Sequence, residues 1–60
     1  MKVYVNDTAV DVHGGCKAGD AVQRYCAETG EPQPEEIRDA YGHVIAEDSP
    51  MKQNGKIYTK

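Results

Sequence analysis

The sequence predicts an α+β fold in the order strand, strand, helix, strand, strand, strand, with the single helix packed over one face of the sheet. Three observations predict it. Apolar residues alternate with polar ones near both ends of the chain, which is the period of a half-buried strand. A central stretch changes to helical spacing. After that stretch, "EPQPEE" sets two prolines in three residues, which excludes helix or central strand there. A two-stranded ribbon cannot hide its apolar face alone, so the helix must cover a sheet assembled from both ends of the chain. With 60 residues the chain has room for one domain, spanning 1–60.

In "KVYVN", Val3 and Val5 fall on one side and Lys2, Tyr4 and Asn6 on the other. Asn6, Asp7 and Thr8 are turn residues, and "AVDV" resumes the alternation with Val10 and Val12 inward, so the two runs read as a hairpin. From Lys17 the inner positions become Ala21, Val22, Tyr25, Cys26 and Thr29, leaving Asp20, Gln23, Arg24 and Glu28 for water. Gly30 is placed to cap that helix. Beyond the proline connector, "EIRDA" and "HVIAE" flank "YG" as a second hairpin, Gly42 supplying the positive φ of a tight turn. In "DSPMKQNG", Pro50 and Asn54-Gly55 mark turns and Met51 anchors the segment to the core. The final "KIYTK" is a strand with Ile57 inward and Tyr58 outward.

Composition narrows the function classes. Hydrophobic residues make up 38% of the chain, with four tyrosines and no Phe or Trp, so a single core consumes nearly all of them and little remains to line a deep ligand pocket. Ordering costs about 1.5 kcal/mol per residue, which makes so small a domain marginally stable. Seven basic against ten acidic residues give a net charge of -3, which argues against a nucleic-acid binder held by phosphate contacts. No apolar run approaches the roughly 20 residues of a membrane span, and the first residues alternate instead of forming a signal-peptide core. Cys16 and Cys26 are too few for a disulfide framework. The expectation is a cytoplasmic protein, a monomer or weak dimer, without nucleic-acid or membrane partners.

The stretches "MKVYVNDTAVDV", "GGCKAGDAV" and "DAYGHVIAEDSPMKQNGKIY" resemble the β-grasp, ubiquitin-like fold, and within it the small sulfur-carrier proteins of thiamine and molybdopterin biosynthesis. The resemblance covers nearly all of the chain and rests on turn positions and apolar spacing, which specify fold better than activity. It implies a mixed sheet in the order 2-1-5-3-4. It also implies carrier chemistry through a C-terminal Gly-Gly whose carboxylate is adenylated. Here the sequence given ends in "IYTK", so that chemistry is expected only of a processed or degenerate carrier acting with an adenylating enzyme. Gly14-Gly15 is internal and offers no free carboxylate.

"HGGC" raises the question of a reactive corner. His13 and Cys16, with His43 and Cys26, would make four zinc ligands, but close-spaced ligand pairs are missing. Cys26 should lie about 12 Å along the helix axis from Cys16, beyond the ~7 Å a disulfide tolerates. A Cys16–His13 dyad lacks a substrate pocket and a third orienting group. Gly14, Gly15 and Gly19 match neither a phosphate loop nor a dinucleotide fingerprint. The stretch reads as a hinge from hairpin to helix, Cys16 filling the lower core as a small hydrophobe. The cluster Glu28, Glu31, Glu35 and Glu36 reads as a solvated rim. No catalytic residues, metal ligands or cofactor are expected.

The surface offers more. Tyr4 and Tyr58 point outward from adjacent central strands, close enough for a cross-strand aromatic pair, with Lys2, Lys56 and Lys60 framing them. His43, with Val44 or Ile45, extends the patch from a neighbouring strand. Tyrosines also favour strands intrinsically, yet tyrosine among basic residues is what interaction surfaces use. The expected function is a small non-catalytic module that binds an unknown protein partner.

Overall fold

The computed structural model describes residues 1–59. Its elements are β1 (Lys2–Val5), β2 (Thr8–Asp11), α1 (Ala18–Thr29), β3 (Ile37–Asp39), β4 (Val44–Ile45) and β5 (Lys56–Tyr58), in a five-stranded mixed sheet ordered β2-β1-β5-β3-β4. This α+β arrangement has the expected strand order and is compatible with a β-grasp-like fold.

The first hairpin closes through Asn6 and Asp7, both at positive φ (52° and 66°), between the paired residues Val5 and Thr8. Two consecutive left-handed residues form the type I′ turn whose twist matches a hairpin, and Asn and Asp tolerate that region at low cost. The chain then leaves the sheet through residues 13–16, where Cys16 N–H donates to the His13 carbonyl at 3.3 Å and Gly15 adopts φ +83°. A single left-handed residue at the third position is the mark of a type II turn, so glycine is required at Gly15. Cys16, directly after it, is fully buried.

Helix α1 turns Ala18, Ala21, Val22, Tyr25 and Cys26 onto the sheet. They meet Val3, Val5, Val10, Ile37 and Ile57, while Met1, Val12, Ile45 and Met51 pack at the margins. Each fully buried valine contributes about 1.5–3 kcal/mol. Thr29, expected on the same stripe, is exposed instead. It lies in the last helical turn, where its hydroxyl bonds back to the Tyr25 carbonyl at 2.8 Å rather than packing inward. Gly30, at φ 78°, ends the helix by donating to the Cys26 carbonyl.

The other end of α1 is covered by the chain itself. Ala18 and Gly19 donate their amides to the carbonyls of Ser49 (2.8 Å) and Glu47 (2.6 Å), and Met51 N–H returns to the Cys16 carbonyl at 3.1 Å. A Cβ on Gly19 would sit 3.0 Å from that Glu47 oxygen, so a side chain there would push the strap over residues 47–51 outward by a few tenths of an ångström. Lys17 N–H bonds the Asp20 carboxylate at 3.1 Å. Lysine has no acceptor to offer in return, so only this half of a capping box forms.

Both ends of the chain meet at the sheet centre. β1 and β5 run parallel, with Tyr4 opposite Lys56 and Val5 opposite Ile57. Tyr4 N–H donates to the Gly55 carbonyl at 2.8 Å and Asn6 N–H to the Ile57 carbonyl at 3.0 Å. Asn6 also clasps Thr59, its side-chain amide donating to the Thr59 hydroxyl at 2.8 Å and its oxygen accepting Thr59 N–H at 3.0 Å. No helix among the described residues is long and apolar enough to cross a membrane.

Candidate interaction surface on the open sheet face

Because the helix covers one face, alternation along each strand delivers the remaining side chains to the other. Opposed residues share a face, so the register reads off the outer surface row by row. Ala9, Tyr4 and Lys56 form one cross-strand row. Arg38 links Tyr58 and Val44 in the next. Lys2 opposes Asp11 in a third. Successive rows lie about 7 Å apart, two residues along each strand.

Tyr4 therefore faces Lys56 directly, and Tyr58 sits diagonally from it, two positions further along β5. Diagonal neighbours are about 7–8 Å apart, still within reach of aromatic rings. Parallel β5 enters the sheet with Lys56 opposite Tyr4, so the two tyrosines stand on adjacent strands along a diagonal instead of in one row. Both rings are half-buried by their neighbours, whereas Lys2 and Lys56 are exposed. Val44 is the apolar member from β4, 59% exposed. Ile45 takes the inner side opposite Ile37. Lys60, expected at the margin of this face, lies outside the described residues.

His43 stands apart from these rows. Its backbone carbonyl accepts from Asp39, whose register partner is buried Ile57, so it belongs to the other alternation from Val44. Its side chain, 79% exposed, comes within 3.7 Å of the Asp39 carboxylate. Asp39 organises this hairpin end: one carboxylate oxygen accepts Tyr41 N–H and His43 N–H, both at 2.9 Å, while Gly42 takes φ 85°. The bond from the His43 amide, with that from Tyr41, holds the carboxyl below the ordinary aspartate range.

Two residues of the face were not singled out from the sequence. Arg38 follows buried Ile37 in "EIRDA", and that alternation alone directs it outward. Its guanidinium donates to the Gly42 carbonyl at 3.0 Å and to Glu36 at 2.9 Å, which fixes it beside Tyr58. The Arg38–Glu36 pair is about half exposed and contributes little to stability. Asp7, in the hairpin turn, accepts the Tyr58 hydroxyl at 3.0 Å. That bond, followed by partial desolvation and the Asp7 charge, raises the Tyr58 phenol above its usual range. No local sequence signal joins residues so far apart in the chain.

The groups weighed for chemistry lie elsewhere. Cys16 and Cys26 are both buried and unpaired. Burial, and then the charge of Asp20, pushes the Cys16 thiol up, away from the reactive thiolate. Cys26 Sγ points to the Pro32 carbonyl at 3.6 Å. His13 is exposed in an open crevice of about 420 Å³ between β2 and α1, with Asp11 and Asp20 among its neighbours. Among the described residues, no group of three or more His, Cys, Asp or Glu is arranged to hold a metal ion. A search of protein families, curated proteins and solved structures finds no match to this chain.

Proposed function

We propose that the chain is a small β-grasp, ubiquitin-like interaction module that binds a protein partner through the open sheet face and carries out no catalysis. One observation carries the reading. The face that the helix leaves uncovered bears the row Tyr58–Arg38–Val44 beside the row Ala9–Tyr4–Lys56. Tyrosine and arginine are the residue types most enriched at the energetic centres of interfaces, and an exposed valine beside them adds apolar area. The β-grasp assignment draws support from the strand order and the parallel central pair. Two unpaired buried thiols fit a reducing cytoplasmic setting.

Site-specific photo-crosslinking tests the surface. A photoreactive residue replacing Val44 on the sheet, or Gln23 on the exposed side of α1, is irradiated in lysate of the source cells. Discrete protein adducts at position 44 and not at 23 are expected. Adducts formed only from position 23 would reject the sheet face as the site.

A further inference from the structure

The chain contains two asparagines, and the fold treats them oppositely. Asn6 is clasped at both ends of its side-chain amide by Thr59, and it is followed by Asp7, whose Cβ crowds its own backbone nitrogen. Asn54 is exposed and is followed by Gly55. With no Cβ on Gly55, nothing bars that backbone nitrogen from the Asn54 side-chain carbonyl.

Residues 52–55 close as a type II turn: Gly55 N–H donates to the Lys52 carbonyl at 2.9 Å, and Asn54 takes φ 64° at the third position. A Cβ on Gly55 would lie 2.9 Å from that same backbone carbonyl. The turn therefore demands glycine at the one place where glycine makes Asn54 reactive. The linkage between the two residues is also fastened to β1 on either side. Asn54 N–H donates to the Lys2 carbonyl at 2.7 Å, and the Gly55 carbonyl accepts Tyr4 N–H at 2.8 Å.

We infer that Asn54 is a site of spontaneous deamidation, gated by the bond from Gly55 to Lys52, and that its isoaspartyl product unfastens β5 from β1. The Gly55 nitrogen, on losing its proton to solvent base, attacks Asn54 Cγ. The bond from Cγ to the side-chain nitrogen breaks, and that nitrogen leaves as ammonia after taking up a proton, which gives a cyclic imide. Water then adds to one imide carbonyl. Cleavage of the new bond to Cγ restores the ordinary backbone with aspartate at position 54. Cleavage of the original peptide bond routes the backbone through Cβ and Cγ as isoaspartate. Overall, water replaces ammonia and no oxidant or reductant takes part. In the closed turn the Gly55 proton is held by the Lys52 carbonyl, so attack waits for the turn to open.

The two products differ in what they do to the sheet. Aspartate keeps the backbone length and tolerates the left-handed region. Isoaspartate inserts one more carbon–carbon bond, about 1.5 Å, between the two fastenings. Hydrogen bonds of 2.7 and 2.8 Å do not stretch that far. The chain then keeps the bond to Lys2 or the bond to Tyr4, but not both.

Peptide mapping by mass spectrometry of the full chain, aged in warm, mildly alkaline buffer, tests the inference. The peptide from Gln53 to Lys56 should change in mass as NH is replaced by O, and an isoaspartyl-specific methyltransferase should label part of it. The folded chain should convert about tenfold more slowly than the chain in urea, the effect of having to open one or two backbone hydrogen bonds first. The separated isoaspartyl form should melt about 4–8 °C below fresh wild type and lose one of the two amide-to-carbonyl couplings, at Lys2 or at Gly55. Asn54→Asp should melt within about 2 °C of wild type. Asn54→Gly, which fits φ 64°, should fold and acquire no mass change in this peptide. No conversion of the folded chain after the unfolded one is consumed, equal rates in the two states, or an isoaspartyl form that melts like wild type with both couplings intact would each overturn the inference.

Discussion

Adding one methyl group at either glycine of the turn over residues 13–16 should have opposite effects, although neither new carbon would touch anything. A Cβ at Gly14 or at Gly15 has no atom within 4 Å, so packing does not distinguish them. Backbone geometry does: Gly15 sits at φ +83°, while Gly14 is not among the positive-φ residues. Replacing either glycine with alanine restricts the unfolded chain and by itself adds about 0.4–1 kcal/mol of stability. Gly14→Ala should show that gain. Gly15→Ala must also hold an L-residue in the left-handed region, at a cost of about 1–2 kcal/mol, and should emerge destabilised. The unfolded-state effect cancels between the two variants, so their difference measures the left-handed penalty. At about 4–8 °C per kcal/mol for a domain of this size, their melting temperatures should differ by about 4–16 °C. Thermal melts followed by far-UV circular dichroism measure this directly. Equal shifts, or a more stable Gly15→Ala, would refute the reading of "HGGC" as a conformational hinge.

Other outcomes follow from the core and from the titrating groups. Val3→Ala, at a fully buried position, should cost about 2–3 kcal/mol in urea titrations, whereas Val44→Ala, more than half exposed, should stay within about 0.5 kcal/mol. Both thiols should react with a chromogenic disulfide reagent only as fast as the protein opens, and become fully reactive in denaturant, because both are buried and Cys16 titrates high. Asp39 titrates low when folded, so its contribution is present above the ordinary aspartate pKa of 3.8 and is lost as pH falls through its depressed value; Asp39→Asn should flatten that acid limb of stability against pH. Tyr58 titrates high because it donates to Asp7. Its contribution should therefore be complete below pH 10.0 and decline as pH rises through the raised value, and Asp7→Asn should bring the phenol's ultraviolet titration back down.

The elements that periodicity governs were legible in the sequence, because burial on one face leaves a direct imprint on residue order. Alternation in "KVYVN" located β1, and helical spacing from Ala21 to Cys26 located the inner face of α1. What escaped depends on register and distant contact. The offset of Tyr58 from Tyr4 is set by where parallel β5 enters the sheet, which no pattern within "KIYTK" encodes. His43 and Val44 are adjacent, so the face each occupies turns on a single position of register across the hairpin. The strap over the start of α1 was invisible because it works through backbone carbonyls of Glu47 and Ser49, and its one trace in the sequence is the glycine at 19. Thr29 carried the right spacing but fell in the last helical turn, where its hydroxyl bonds back to Tyr25 instead of entering the core.

The outer surface exists only if β1 and β5 lie side by side and in parallel, so scalar couplings across hydrogen bonds in the isotopically labelled chain test the account at its root. Correlations from the Tyr4 amide nitrogen to the Gly55 carbonyl carbon, and from the Asn6 amide nitrogen to the Ile57 carbonyl carbon, are the expected result. A spectrum in which those amides couple to other carbonyls, or exchange with solvent as freely as a disordered chain, would contradict it.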